Sequence, residues 1–361
     1  MLSNFECVIK LPESGLFITL NNKDTLDLYV SAGVYGELRA PEFKEVSNQS
    51  MHYAALADAA SARMGDHVFF FIKRRIVYGG QIEGSKKHGS FIINGPSSPL
   101  GRQVGADVYW DESTRKLYKP TKNSGVFKVK NKIERCQPYL IRFKDNLGIK
   151  GNVIESDDLY SELSIRYNHP LPSNSIQRKS FCTITPGETR ILLDLLKSGR
   201  SFVDPPKDDV KPVGHPLFFD PTMSISHLSN AKSKYHHDAM LIANPNLLPK
   251  KLDPNGAAIC RKVPLTPFKP SNMDQADLCY YEDNEISDGT IPNKIIEMDW
   301  KITGSKKVLK LVKYIEWLKK LIPYDYREIS FNLFAPEFKN DVRRKIPNDY
   351  RSLINLISYT S

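Results

Sequence analysis

Lys294-Ile-Ile-Glu-Met-Asp-Trp-Lys301 decides how this chain is read. An apolar run with charged residues at every second position has the two-residue period of a strand. Glu297, Asp299 and Lys301 are therefore expected on one side of it. Upstream, residues 257–263 and 276–281 read as two more strands, and a helix over 233–242 ends at Asn244-Pro245. Downstream, Gly304-Ser305 precedes apolar Val308, Leu311, Val312, Ile315, Leu318 and Ile322, the stripe of an amphipathic helix. A strand over 329–334 and a closing helix near 350–357 complete an α/β order, assigned to a domain over 223–361. Asp277, on the neighbouring strand, can meet the acids of the first stretch. Three converging carboxylates are how a chain holds a hard, oxygen-preferring ion such as Mg²⁺. Such an ion lowers the pKa of bound water and neutralises charge building on a phosphodiester, and an adjacent lysine steadies the developing charge.

The charge balance agrees with a phosphate-bearing partner. The 361 residues carry 51 Lys+Arg against 41 Asp+Glu, a net charge of +10. Residues 301–345 alone hold 12 Lys+Arg and 5 Asp+Glu, so Lys306, Lys307 and Lys310 are candidate DNA contacts there. With 25% charged and 40% hydrophobic residues, wholesale disorder is excluded, and the length predicts about two domains. No apolar run reaches the roughly 18–20 residues of a membrane span, and the first residues lack a signal-peptide pattern. Five cysteines, none in a CxxC pair, argue against a disulfide scaffold or a zinc ribbon and for a reducing, cytoplasmic setting. No Walker loop, GxGxxG element or Ser-His-Asp order is present.

The first ~120 residues read as β-rich. Gly15-Leu-Phe-Ile-Thr-Leu20 is a strand, and His67-Val-Phe-Phe-Phe-Ile72 with Ile76-Val-Tyr-Gly-Gly-Gln-Ile-Glu83 reads as a hairpin around Lys73-Arg74-Arg75. That break lacks the usual Gly or Asn turn signal, and Gly79-Gly80 points to a bulge or a close backbone approach. Lys73, Arg74 and Arg75 are either a solvated tip or phosphate contacts. An Ala-rich helix is expected over 52–63, and Thr185-Pro186-Gly-Glu188 opens a helix that stops near Gly199. Residues 201–222 read as a Pro-rich linker or arm, within a region 121–222 of no assigned role. His236-His237-Asp238 invites a metal reading, but adjacent helical residues point apart, and a surface or helix-end role is expected.

Two resemblances add to this reading. Asp277, followed on the next strand by an acid-x-Lys triplet and then a helix, resembles the PD-(D/E)XK nuclease superfamily. The triplet fits in two registers. Asp299-Trp300-Lys301 fits literally, whereas Ile295-Ile296-Glu297 matches the apolar-apolar-Glu form and places Asp299 where a lysine is usual. In that register Lys301 or Lys310 supplies the positive charge. Lys310, Tyr314 and Trp317 resemble the family's Gln-x-x-x-Tyr-x-x-Trp helix with Lys in the Gln position. Asn244-Pro-Asn-Leu-Leu248 looks like the end of its first helix, where Asp238 is the best substitute for a helix-borne acid. The resemblance covers roughly residues 233–340. It implies a restriction-endonuclease-like domain with a central mixed sheet, cutting double-stranded DNA with Mg²⁺. Asp277, Glu297 and Asp299 would be the metal ligands, Lys301 would assist the attacking water, and a homodimer or sequential nicking would cut both strands.

Met64-Gly-Asp-His-Val-Phe-Phe-Phe-Ile72 followed by Val77-Tyr-Gly-Gly-Gln-Ile-Glu83 resembles the PUA-like group, including its EVE domains. This implies a small β-barrel over 1–120 that reads nucleic acid, in some members by enclosing a flipped base. Tyr35, Tyr78, Asp107 and Trp110 are guesses for such a pocket, while Phe17 and at least one or two of Phe69, Phe70 and Phe71 belong to the core. Together the resemblances imply a restriction or defence endonuclease. The unusual register leaves a second reading, a nucleic-acid-binding protein whose nuclease-like domain is inert.

Overall fold

In a computed structural model of the chain, two β-sheets are joined through one shared core. The structure describes residues 13–20, 33–37, 46–83, 91–93, 139–144, 152–159, 181–197, 200–201, 217–218, 231, 233–243, 247–254, 256–264, 275–282, 291–323 and 325–359, with positions 23, 26, 29 and 30 and short strands between 110 and 135.

The first sheet is a curled half-barrel. Its elements are β1 (Gly15–Thr19), β2 (Val34–Gly36), the helix α1 (Val46–Ser61), β3 (His67–Ile72), β4 (Arg75–Ile82) and β5 (Phe91–Ile93). Two small ladders follow, β6 (Trp110–Asp111) with β7 (Lys116–Leu117) and β8 (Phe127–Lys128) with β9 (Glu134–Arg135). Then come β10 (Tyr139–Lys144), β11 (Asn152–Glu155), β12 (Phe181–Ile184), the helix α2 (Pro186–Lys197), β13 (Arg200–Ser201) and β14 (Leu217–Phe218). The main path runs β12-β1-β3-β4-β10-β5-β14. The sheet therefore does not end near residue 120: β10 to β14 give the region 121–222 a structural role. Of the Pro-rich stretch 201–222, Ser201 lies in β13 and Leu217–Phe218 form β14, while residues 202–216 and 219–222 lie outside the described residues.

Both faces of this sheet are covered, which explains why β3 is almost continuously apolar. Val68, Phe70 and Ile72 join Leu16 and Ile18 on one face, whereas Phe69 joins Phe17 and Tyr78 under α2 on the other. The β3–β4 turn has only two residues, Lys73 (φ 47°) and Arg74 (φ 63°). Positive φ at both central positions is the type I′ geometry that Asn-Gly usually serves, so two long cationic residues adopt a conformation the sequence did not advertise. The bulge falls where Gly79-Gly80 places it, between Val68 and Phe69 on the partner strand. A Cβ at Gly79 would meet the Phe70 ring at 2.4 Å, and one at Gly80 (φ 150°) the Lys144 carbonyl oxygen at 2.4 Å. Thr185 caps α2 as expected, and with Glu188 it closes a capping box: the Thr185 N–H donates to Glu188 Oε2 (2.8 Å) and the Glu188 N–H to Thr185 Oγ1 (3.2 Å).

The second sheet is built from α3 (Lys234–Ala243), β15 (Ala258–Pro264), β16 (Gln275–Tyr281), β17 (Lys294–Met298), α4 (Ser305–Leu321), β18 (Ser330–Ala335) and β19 (Ile354–Ser358). Strand order follows the chain, antiparallel from β15 to β17 and parallel from β17 to β19. Two expectations are corrected. The chain end near 350–357 is not a helix: a 3₁₀ turn (Asn348–Tyr350) leads into the strand β19, whose β-branched residues pair with β18. The decisive strand stops at Met298, before Asp299.

Residues of α1, α3, β1, β3, β15, β16, β17 and β18 occupy one apolar cluster. Polar ties reinforce it: Thr183 Oγ1 of β12 accepts from Arg261 N–H (2.8 Å) and donates to the Arg261 carbonyl (3.0 Å), and the Arg261 guanidinium pairs with Asp58 of α1. No described helix is long and apolar enough to cross a membrane.

Candidate active site

Asp277 and Glu297 lie on adjacent strands, β16 and β17, and face the helix α4 that follows. Each is buried, at 2% and 0% exposure. The Lys307 ammonium joins them, 2.8 Å from Asp277 Oδ2 and 2.5 Å from Glu297 Oε2. Lys307 and Lys310 point at the strands because α4 starts immediately beyond them, and positions three apart share a helix face. Lys310 lies 2.6 Å from Glu297 Oε1 and donates to the Gln275 carbonyl (2.5 Å). The Tyr314 hydroxyl, one turn on, stands 3.4 Å from the same carboxylate. Asp277 also takes Lys234 of α3 (2.7 Å), Lys262 of β15 and the Met298 N–H (3.0 Å). Two carboxylates thus hold four ammoniums, a local charge of +2.

Lys262 reaches Asp277 at a backbone cost. It sits within β15 at φ 52°, a left-handed conformation that costs a non-glycine residue about 1–2 kcal/mol. Strain of this kind persists only where the surroundings enforce it, and it recurs at functional sites.

Proton affinities separate the two acids. Burial raises Glu297, and the neighbouring Asp277 charge raises it further, against Lys307 and Lys310. Burial alone would raise Asp277 too, but Lys262, Lys307 and Lys234 hold it well below the usual carboxylate range. Burial would lower Lys307, yet the two carboxylates raise it above an ordinary lysine, whereas burial dominates at Lys234 and lowers it. The site holds one firmly ionised acid, one acid of raised pKa and one lysine of lowered pKa, a combination typical of reacting centres.

The expected metal set is only partly assembled. Asp277 and Glu297 converge, but Asp299 stands apart: its N–H donates to the Phe334 carbonyl (2.9 Å), and its Oδ1 accepts from the Trp300 N–H (3.0 Å). Lys301 is exposed, with its ammonium 4.2 Å from the centre of the Trp300 ring. Strand alternation would have carried both residues to the site; it fails because pairing ends at Met298. Lysines from β15, α3 and α4 stand around Asp277 and Glu297 instead. Among the described residues no group of three or more His, Cys, Asp or Glu is close enough to share a metal. Two carboxylates still fit Mg²⁺, which keeps waters and takes substrate oxygens as its other ligands. Lys307 already places a cation between them.

The remaining expectations divide. Lys307 and Lys310 belong to the site, and Lys306 is exposed beside it. At the hairpin tip Lys73 is exposed, while Arg74 pairs with Asp157 (2.7 and 2.9 Å) and Arg75 with Glu155 (2.7 Å). Tyr35 and Tyr78 do not line one pocket: both are buried, in clusters on opposite faces of the first sheet. Asp107 lies outside the described residues, and of Trp110 only its place in β6 is described. His237 and Asp238 are fully buried, correcting the surface expectation, and only His236 is half-exposed, stacked 4.1 Å from Tyr53.

Sequence reasoning missed Lys234 and Lys262. For Lys262 the signal was register, since it falls opposite Asp277 once β15 and β16 pair; Lys234 arrives from a helix and carried no such signal. Searches against family models, characterised proteins and solved structures find nothing that matches this chain.

Proposed function

We propose that the protein is a Mg²⁺-dependent endodeoxyribonuclease of restriction or defence type, with a restriction-endonuclease-like domain built on the second sheet. One observation carries the reading: Asp277 and Glu297 meet on a single ammonium at the end of adjacent strands, backed by the helix that follows them. That is the arrangement the PD-(D/E)XK resemblance implies, in the register that begins at Ile295. Bound Mg²⁺ would supply a water of lowered pKa and neutralise phosphodiester charge. Asp277 and Glu297 would hold the ion. The surplus ammoniums of Lys234, Lys262, Lys307 and Lys310 would draw the scissile phosphate in and steady the negative charge that develops on it. The first sheet, read as PUA-like, would recognise a short or modified site in double-stranded DNA, and a homodimer would cut both strands.

Methylated and unmethylated plasmid incubated with Mg²⁺ or EDTA tests this. Discrete fragments that need Mg²⁺, Asp277 and Glu297 are the expected result; cleavage surviving both Asp277→Asn and Glu297→Gln would sink it. Asp299→Ala separates the two registers, and activity within about tenfold of the parent is expected, because no phosphate or metal need reach that carboxylate.

A second reading, an inert nucleic-acid-binding module, is favoured by the four ammoniums already seated on the two acids. It predicts salt-sensitive binding with intact plasmid.

A further inference from the structure

The second sheet ends in an open edge, and that edge lies in a basic groove. No described strand pairs with the outer side of β19. The Phe331 N–H donates to the Leu353 carbonyl and the Tyr359 N–H to the Ala335 carbonyl, so the odd-numbered residues bond inward to β18. Backbone direction alternates along a strand, which turns the N–H and C=O groups of Ile354 and Leu356 outward.

A cavity of ≈ 510 Å³ runs along this edge. Arg343, Arg344 and Lys251 line it, and Arg351 stands where the chain enters β19. Ile346, Ile354, Leu356 and Ile357 give it an apolar lining, Leu356 packed toward the α4 cluster and Ile357 toward the shared core. The four cations make no ion pair with any described carboxylate, and the lining contains no acid. Exposed edges are commonly guarded by charge, and like charges here would repel a second copy of the same edge. A guard needs no concave apolar lining, however, and a DNA backbone, which accepts hydrogen bonds but donates none, would leave the outward carbonyls unpaired. An extended peptide uses all three features: its main chain extends the sheet, alternate side chains meet the apolar lining, and acidic residues meet the arginines.

From these features we infer that the open edge of β19 is a docking site for an extended, acidic segment of a partner protein, bound by strand addition. The site is separate from Asp277 and Glu297 and does not depend on the nuclease reading.

The test is fluorescence anisotropy on the full chain with a labelled peptide alternating Glu and Val. A second peptide of equal charge carries Pro at its centre and cannot pair as a strand. Oligothymidylate serves as competitor. The alternating peptide should bind about tenfold tighter than the Pro peptide and lose about tenfold on Arg343→Glu/Arg344→Glu. Lys313→Glu/Lys320→Glu, an equal charge change on the exposed face of α4, should leave it within about twofold. Equal binding of both peptides, equal sensitivity to the two double variants, or no binding would overturn the inference. Displacement by less oligothymidylate than unlabelled peptide would reassign the groove to nucleic acid.

Discussion

Asp66 in the first region and Asp277 in the second are equally hidden from water, at 3% and 2% exposure, yet their surroundings push them in opposite directions. Asp66 sits where α1 turns into β3 and accepts from the Ser14 N–H (3.0 Å), the Ser14 hydroxyl (2.9 Å) and the Arg63 N–H (2.8 Å). These donors, with a smaller contribution from the Arg63 charge, only partly offset burial, which raises its pKa to about 6. Asp277 is surrounded by ammoniums and stays ionised. The first carboxylate ties three chain segments together; the second concentrates charge. Burial alone does not distinguish a structural acid from a functional one; the partners do.

Four measurements can break or sharpen this contrast. The largest effect is expected at Asp277. Under the proposed nuclease function, Asp277→Asn should cut Mg²⁺-dependent plasmid cleavage by about a thousandfold or more, the scale of losing charge stabilisation in the transition state. Stability should fall by less than about 2 kcal/mol, because the lysines around it are 20–30% exposed and can turn to water. Asp66→Ala should do the reverse, costing about 3 kcal/mol in urea unfolding by stranding buried donors, without acting on the chemistry. A larger stability loss at Asp277 than at Asp66 would erase the distinction.

The third concerns pH. Glu188, like Asp66, is buried among neutral donors, and its pKa is raised to about 7. Between their unfolded values near 4 and these folded values, the folded state holds more protons than the unfolded one. Stability should therefore rise as pH falls from 7.5 to 5.5, by on the order of 1–2 kcal/mol. Asp277 does not oppose this: its depressed pKa contributes stability above its unfolded pKa and loses it only in stronger acid. Glu188→Gln, which preserves the capping box, should flatten the slope seen in thermal unfolding, and an unchanged slope would refute the assignment.

The smallest effect compares two strained sites. Lys73→Asn/Arg74→Gly should stabilise the chain by about 1 kcal/mol, since the Arg74–Asp157 pair is exposed and worth little. Lys262→Gly relieves similar strain but should lower cleavage. If it left cleavage intact, the strain at Lys262 would have no functional meaning.

The sequence was legible wherever local pattern and tertiary environment agreed. The Thr185 cap, the α4 stripe and the existence of the strands β16 and β17 follow from local pattern alone. The helix expected near 350–357 failed because parallel pairing with β18 outweighed weak local preference. The Lys73-Arg74 turn was hidden because cations stand where glycine is usual. At the candidate site, Asp277 and Glu297 were readable from strand period, but the end of β17 is set by its neighbours, so Asp299 and Lys301 were placed wrongly with them. Lys234 and Lys262 arrive from other elements, and no spacing rule within one segment reveals them.

The shared core also has consequences in time. β1 pairs with β12, more than 160 positions later, and the inner face of β3 shares its cluster with Phe334. Such distant partners slow folding. At a synthesis rate of about 5–20 residues per second, Val68 and Phe70 wait roughly ten to fifty seconds before Phe334 is made. Throughout that interval β3, with its three phenylalanines, is without part of its cover, so the nascent chain keeps apolar strand surface in water until its synthesis is nearly complete.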